Sequence, residues 1–139
     1  MSVIKAAAHS QTALVTGAIL VIDDDTAIRE ALADILSLLP EIPVYTAANG
    51  HEGLQIFQQQ RQSIGLVLLD LNMPVMNGEQ TYEKLQQMAP QVKVVVSSSL
   101  SQGEARLRFG QQEMPTFLQK PYNVDTLFNV VQTELTTMV

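Results

Sequence analysis

The sequence predicts one α/β domain, in which a doubly wound, five-stranded parallel sheet is covered by five helices. Short, continuously apolar runs alternate with longer segments whose apolar residues recur at helical spacing. Continuous apolar runs are typical of strands buried on both faces. Strands that alternate with helices imply parallel pairing through right-handed crossovers. At 139 residues, the chain is long enough to bury one such core.

The predicted elements follow one another from Ala18 onward. The apolar run 18–22 is the first strand, and the first helix is capped at Asp25 or Thr26 and closed by Pro40. The later predicted strands are 43–47, 66–69, 92–96 and 116–118. The second predicted helix runs from the turn 49–50 to the glutamines 58–60, and the third runs through 82–89. A weak fourth helix is predicted at 101–112 and a last one from about residue 124.

Composition excludes several classes of function. The chain has no cysteine, which excludes disulfides, thiolate catalysis and cysteine-ligated zinc, and two histidines are too few for a multi-histidine metal site. Its net charge of −6, with eight Lys and Arg, predicts no direct binding to nucleic acid.

The N-terminal segment, residues 1–17, is interpreted as a linker or tail, and residues 18–139 as the domain. The apolar stretch 13–22 is too short to span a bilayer, and no convincing export signal precedes it. We therefore expect no membrane contact by this domain and a cytoplasmic location.

Side chains that can bind cations or phosphate lie at the ends of four of the predicted strands. The first strand ends in Asp23, Asp24 and Asp25, the third in Asp70, the fourth in the serines 97–99 and the fifth in Lys120. Each has an ordinary structural explanation as a cap, turn or surface residue, and for Asp25 a helix cap is favoured. Because ligands bind beyond the carboxyl ends of the strands in such sheets, the four groups together predict one site.

The residue types at this predicted site favour one kind of chemistry. Clustered carboxylates raise each other's pKa, and a hard divalent cation relieves their repulsion. A carboxylate beside such a cation can attack a phosphoryl group while a lysine neutralises the charge on the transferred oxygens. The predicted site is therefore a magnesium-dependent aspartyl-phosphate site.

The order of these motifs resembles the receiver domain of two-component response regulators. The resemblance runs from Ala18 to about Val139 and rests on four segments, 19–25, 68–78, 97–99 and 117–122. It implies a flavodoxin-like fold with strand order 2-1-3-4-5, an order that general fold rules also give for a receiver-type protein. It further implies a phosphoacceptor module that uses Mg²⁺ or Mn²⁺.

The resemblance assigns the acidic residues. Asp70 matches the phosphoaccepting aspartate, which is also a metal ligand. Asp24 matches a direct metal ligand, Asp23 an acidic partner that acts through water, and the backbone carbonyl of Asn72 the third protein ligand.

The resemblance also assigns the switch residues. Ser98 matches the switch hydroxyl, with Ser97 as the alternative register, and Phe117 matches the aromatic switch position. Lys120 matches the phosphate-contacting lysine, and its bond to Pro121 is expected to be cis. Serine in place of the more common threonine keeps the hydroxyl, whereas phenylalanine in place of tyrosine excludes a relay through a phenol. His51 is interpreted as a surface residue.

Two rival functions remain open on the sequence. A haloacid-dehalogenase-like phosphatase also forms an aspartyl phosphate, and Asp23 and Asp25 fit its first motif, but Ala27 stands at the motif's last position and no adjacent acidic pair follows Lys120. The other rival is a receiver-like docking domain that is not phosphorylated, against which the complete set of acidic, serine and lysine residues argues.

The resemblance implies partners and a response. A histidine kinase or histidine phosphotransfer domain would phosphorylate Asp70, the 98–120 surface would change conformation, and the domain would dephosphorylate itself. As an isolated domain it would be no enzyme beyond these reactions on itself. The domain is expected to be either a single-domain regulator or part of a hybrid sensor histidine kinase, of which the second is favoured. Its downstream protein partner or output domain is unidentified.

Overall fold

The computed structural model describes residues 4–5, 13–15 and 17–138, with side chains described from residue 17 to residue 135. Its strands and helices, in chain order, are β1 (Ile4–Lys5), β2 (Ala13–Val15), β3 (Ala18–Ile22), α1 (Thr26–Leu36), β4 (Val44–Ala47), α2 (Gly50–Gln59), β5 (Ile64–Asp70), α3 (Gly78–Met88), β6 (Lys93–Ser98), α4 (Gln102–Phe109), β7 (Thr116–Gln119), α5 (Val124–Leu135) and β8 (Thr136–Met138).

The central sheet confirms the predicted fold class. Its five strands lie in the order β4-β3-β5-β6-β7 and all four pairings are parallel. Counted from β3 along the chain, this is the flavodoxin-like order 2-1-3-4-5. The sheet reverses its winding direction between β3 and β5, which is where such folds place their functional site.

Two apolar clusters, one on each face of the sheet, hold the helices in place. Along β3, Leu20 and Ile22 belong to the cluster that includes Phe57 of α2, Leu85 of α3 and Phe109 of α4. The neighbouring residues Ile19 and Val21 belong to the other cluster, with Leu36 of α1 and Leu127 of α5. Alternation of this kind buries a strand on both faces, as the continuous apolar run predicted.

Helix α1 ends earlier than its apolar spacing predicted. Its last residue is Leu36, and the chain then tightens into turns in which the Leu38 and Leu39 amides donate to carbonyls three residues back. The residue before a proline is disfavoured in the α conformation, so Pro40 acts on the geometry of Leu39 and ends the regular helix early. Leu39 is nevertheless buried, which explains its place in the periodic pattern.

Helix α4 is shorter than predicted and is held mainly by polar contacts. It ends at Phe109, before Gly110 with φ of 60°, and only Ala105 and Phe109 are buried within it. Leu107 is 80% exposed. Ser101 and Glu104 form a capping box at its start, and the Arg106 guanidinium donates to the carbonyls of Gly110 and Gln112 beyond its end.

A second, small sheet was not predicted. Strand β2 pairs antiparallel with β1 and with β8, so a segment before the domain lies beside the end of the last helix. The interpretation of residues 1–17 as a linker or tail, with the domain beginning at Ala18, stays a prediction. Because the partners are far apart in the chain, no local periodicity signals their pairing.

Candidate functional site

Four predicted site residues lie side by side at the carboxyl edge of the central sheet. Asp23 follows β3, Asp70 ends β5, Ser98 ends β6 and Lys120 follows β7. The backbone ladder continues to this edge, since the Leu71 amide donates to the Ser97 carbonyl at 3.0 Å and the Lys120 amide to the Ser98 carbonyl at 2.8 Å. The strand ends are therefore locked in register where the side chains meet.

Three carboxylates form a cluster at this edge. One oxygen from each of Asp23, Asp24 and Asp70 lies within 4.8 Å of the others. Asp23 and Asp70 are buried, whereas Asp24 is exposed. The Lys120 Nζ lies 3.3 Å from Asp23 Oδ2 and 3.6 Å from Asp70 Oδ1, so one cation faces two of the three acids.

The electrostatics of Asp70 are unusual for a carboxylate. Burial raises its pKa to about 6, Lys120 opposes this shift, and the neighbouring Asp23 and Asp24 add to it. One lysine is thus too little charge to compensate three clustered acids. Closely spaced carboxylate oxygens with excess negative charge are the ligands that hard cations such as Mg²⁺ prefer, so the residues fit a divalent metal.

Asp23 is held firmly by its surroundings. Its Oδ1 accepts a hydrogen bond from the Asp25 amide at 2.9 Å, and its backbone carbonyl accepts one from the Arg29 guanidinium at 2.7 Å. The Asp25 side chain, in contrast, caps α1 by accepting from the Ile28 amide at 3.1 Å. Asp25 is therefore used as a helix cap, and the phosphatase alternative loses the second aspartate it requires.

The close approach of α3 to the end of β5 depends on Gly78. A Cβ at this position would lie 2.5 Å from the Leu71 Cα and 2.7 Å from the Asp70 carbonyl oxygen. Because both are backbone atoms, only glycine allows this approach. Asn77 caps α3, and the Gly78 amide donates to the Leu71 carbonyl at 3.0 Å, which fixes the loop after Asp70.

The hydroxyl of Ser98 faces the loop that follows Asp70. Ser98 is fully buried, and its Oγ accepts from the Leu100 amide at 3.0 Å and from Asn72 Nδ2 at 3.4 Å. The backbone amide of Asn72 donates to Asp70 Oδ1 at 3.2 Å. Ser97 pairs with Asp70 across the sheet. The contact with Asn72 favours Ser98 for the switch role, which stays a prediction, as does the Asn72 carbonyl as a metal ligand.

The other predicted residues lie around this edge or away from it. Phe117 is half-buried against the apolar cluster that includes Ala105 and Phe109 of α4. The Lys120–Pro121 peptide bond is cis. His51 is exposed on α2 and is not a member of the carboxylate cluster.

Sequence reasoning missed three residues near the site. The Arg108 guanidinium pairs with Glu79 at 2.7 Å and donates to Asn72 Oδ1 at 2.6 Å. The pKa of Tyr122 is raised to about 12 by burial and by the charges of Asp23 and Asp70. No linear motif signals these contacts, because each joins elements that are distant in sequence.

Comparison with known proteins decides the family. The family model described as the response regulator receiver domain matches residues 19–132. The chain belongs to this family. Receiver domains with solved structures share its fold: chemotaxis protein CheY4 of Vibrio cholerae superposes with a TM-score of 0.77 at 25% identity, over 86% of this chain and 99% of that one. A receiver domain protein from Clostridium thermocellum gives 0.75 at 26% identity, over 86% and 94%.

The curated relatives of this receiver domain are longer proteins. The protein-glutamate methylesterase/protein-glutamine glutaminase of Geobacillus kaustophilus is 35% identical over 108 residues, which cover 74% of this chain and 30% of that protein. The nitrate/nitrite response regulator NarL of Escherichia coli is 38% identical over 81 residues, or 58% and 37%. The match thus spans about a third of these two proteins. No helix in the described part of the receiver domain is long and apolar enough to cross a membrane.

Proposed function

We propose that Asp70 accepts a phosphoryl group from a histidine kinase or a histidine phosphotransfer domain. The observation that carries the proposal is the position of Asp70, which lies buried between two further carboxylates and the Lys120 ammonium group. Asp70 is 6% exposed and its pKa is raised to about 6. A buried carboxyl group with a raised pKa is typical of a reactive residue in a functional site.

Mg²⁺ or Mn²⁺ would be held by Asp24, Asp70 and the Asn72 carbonyl, with Asp23 acting through water. When bound, the cation supplies positive charge that offsets the three carboxylates and the oxygens of the incoming phosphoryl group. The exposure of Asp24 supports its role as the direct ligand of a cation that keeps several waters.

The residues of the chain have separate roles in the transfer. A carboxylate oxygen of Asp70 attacks the phosphorus atom, and the P–N bond to the donor histidine breaks with its electron pair passing to the imidazole. Lys120 neutralises charge on the transferred oxygens, and the Ser98 hydroxyl donates a hydrogen bond to one of them. Water later attacks the phosphorus, which returns the Asp70 carboxylate and releases phosphate.

Intact-mass spectrometry after treatment with acetyl phosphate tests the proposal. We expect the chain to gain one hydroxylamine-labile phosphoryl group in the presence of Mg²⁺ and none after chelation. No gain under either condition would favour the non-phosphorylated docking domain. Continuous release of phosphate from a small phosphate ester, without stoichiometric labelling, would favour a phosphatase.

The domain is proposed to work as one part of a larger protein, as the length of its relatives suggests. A hybrid sensor histidine kinase is the parent that we favour, because the motifs at 97–99 and 117–122 most resemble receivers of that class. A cytoplasmic location follows from this proposal, since the kinase and phosphotransfer partners act there. The net charge of −6 supports a protein, and not nucleic acid, as the downstream partner.

Lys120→Ala should retain metal binding and lose most of the conformational response. The lysine contacts Asp23 and Asp70 from the β7 end but is not itself a metal ligand, so its removal leaves all three carboxylates in place. NMR spectra recorded with Mg²⁺, before and after beryllofluoride, measure both properties. We expect the variant to keep the shifts caused by Mg²⁺ and to lose most of those caused by beryllofluoride; identical shifts in the two proteins would refute the role.

Amides from Leu100 to Phe117 should exchange faster than those of α1 and α5, and should slow on phosphorylation. Helix α4 is only eight residues long, exposes Leu107 to solvent, and contains Gly103, at which an added Cβ would contact no neighbouring atom. Hydrogen exchange with and without beryllofluoride measures this. Changes confined to α1 and α2 would show that the response is transmitted elsewhere.

A further inference from the structure

The Arg108 side chain links helix α4 to the loop that follows Asp70. The Arg108 guanidinium forms a two-pronged ion pair with Glu79 of α3, with Nε 2.9 Å from Oε2 and Nη2 2.7 Å from Oε1. Its remaining nitrogen, Nη1, donates to Asn72 Oδ1 at 2.6 Å. Paired guanidinium and carboxylate groups fix each other's direction, so Arg108 reaches Asn72 with a defined orientation.

The contact between Arg108 and Asn72 determines the orientation of the Asn72 side-chain amide. A guanidinium has donors and no acceptor, so the Asn72 atom that it touches must be the carbonyl oxygen. The amide nitrogen is then the atom 3.4 Å from the Ser98 Oγ. Without Arg108, nothing in the hydrogen bonds of the Asn72 side chain distinguishes this orientation from the flipped one.

The orientation of Asn72 in turn constrains the Ser98 hydroxyl. A serine oxygen has two acceptor positions and one proton to donate. The Leu100 amide, at 3.0 Å, occupies one acceptor position, and the Asn72 Nδ2 group is directed at the other. The hydroxyl proton is therefore left to donate in a further direction. If Asn72 were flipped, its carbonyl would take that proton.

We propose that Arg108 is a positioning residue, which keeps the Ser98 hydroxyl available as a donor to a phosphoryl group on Asp70 by fixing the orientation of Asn72. The inference rests on the proposed phosphoacceptor function. It assigns to a residue of α4 a part in the chemistry of the strand ends, without direct contact between Arg108 and the phosphoryl group.

Beryllofluoride binding in the presence of Mg²⁺ tests the proposal through a double-mutant cycle. We expect Arg108→Ala to weaken binding by about fivefold, in line with the loss of one hydrogen bond. In a Ser98→Ala background the same substitution should change binding by less than about twofold, because the hydroxyl it positions is gone. Arg106→Ala is the matched control, because it removes another arginine from the same helix. In the described hydrogen bonds, the Arg106 side chain contacts only the carbonyls of Gly110 and Gln112.

A second measurement needs neither metal nor phosphoryl analogue. The side-chain amide signals of Asn72, assigned by their loss in Asn72→Leu, report the orientation of the group by NMR. We expect them to move in both Arg108→Ala and Ser98→Ala and to stay in place in Arg106→Ala. Signals that do not respond to Arg108→Ala would overturn the proposed orientation even if the protein remained folded.

The outcomes separate this proposal from the one on which it rests. Suppose that wild type binds beryllofluoride. If Arg108→Ala binds it as tightly as wild type, or if Arg108→Ala weakens binding as much in the Ser98→Ala background as in wild type, Arg108 has no positioning role and the phosphoacceptor function stands. An effect of Arg106→Ala equal to that of Arg108→Ala would show that only the stability of α4 matters. If wild type does not bind the analogue, the phosphoacceptor function fails and the inference fails with it.

Discussion

Asp70→Asn should lower phosphorylation by acetyl phosphate at least on the order of 100-fold, because an amide cannot act as the attacking oxygen nucleophile. The neighbouring Asp23 is a poor substitute. Asp23 is buried, and both of its carboxylate oxygens are engaged, one by the Asp25 amide and the other by Lys120. Hydroxylamine-labile incorporation, followed by intact mass, measures the loss.

The matched control for this substitution is Asp34→Asn. Asp34 is an exposed aspartate of α1 outside the carboxylate cluster, so its replacement makes the same change of charge without touching the site. We expect it to be phosphorylated as wild type. An Asp70→Asn protein that gains the same labile phosphoryl group as wild type would contradict the assignment of the acceptor.

Removal of metal should leave the folded domain sensitive to pH through Asp70. Its pKa in the folded protein is about 6, against an ordinary value of 3.8. A carboxyl group whose pKa is raised on folding stabilises the protein below its unfolded pKa, and this contribution is lost as the pH rises through the folded pKa. At about 1.4 kcal/mol per pKa unit, the contribution of Asp70 to the free energy of unfolding should fall by on the order of 2 to 3 kcal/mol between pH 4 and pH 7.

Urea unfolding of the metal-free protein at several pH values measures this contribution. Asp70→Asn should be more stable than wild type at pH 7, and its stability should vary less between pH 4 and pH 7. Asp34→Asn should follow the wild-type curve. Parallel curves for wild type and Asp70→Asn would show that Asp70 is not the group whose ionisation opposes folding.

The sheet and the strand-end residues were predictable because they depend on local patterns. The run 18–22 reads as a buried strand from its composition alone, and β3 is buried at every position. In parallel sheets the carboxyl ends of neighbouring strands lie at one edge, so topology alone brings Asp23, Asp70 and Lys120 together. The assignment of individual roles came from the family resemblance.

What could not be predicted depends on contacts between elements that are distant in sequence. Gly103 and Gly110 and the lack of an apolar stripe at helical spacing predict that α4 is weak, and only Ala105 and Phe109 are buried within it. The same reasoning could not show that Arg108 reaches Glu79 and Asn72, because a charged residue on an exposed helix has no periodic signature. The pairing of β2 with β8 escaped prediction for the same reason.

Locating the phosphoryl group on the chain tests directly whether Asp70 is the acceptor. Borohydride reduces an aspartyl phosphate to homoserine, which marks the acceptor permanently for peptide mapping by mass spectrometry. After treatment of the intact protein with acetyl phosphate and Mg²⁺, we expect residue 70 to be the position converted and chelation of the metal to prevent the conversion. A phosphoryl group found on His51 or Ser98, or conversion at residue 23 or 24, would contradict the assignment of Asp70 as the acceptor.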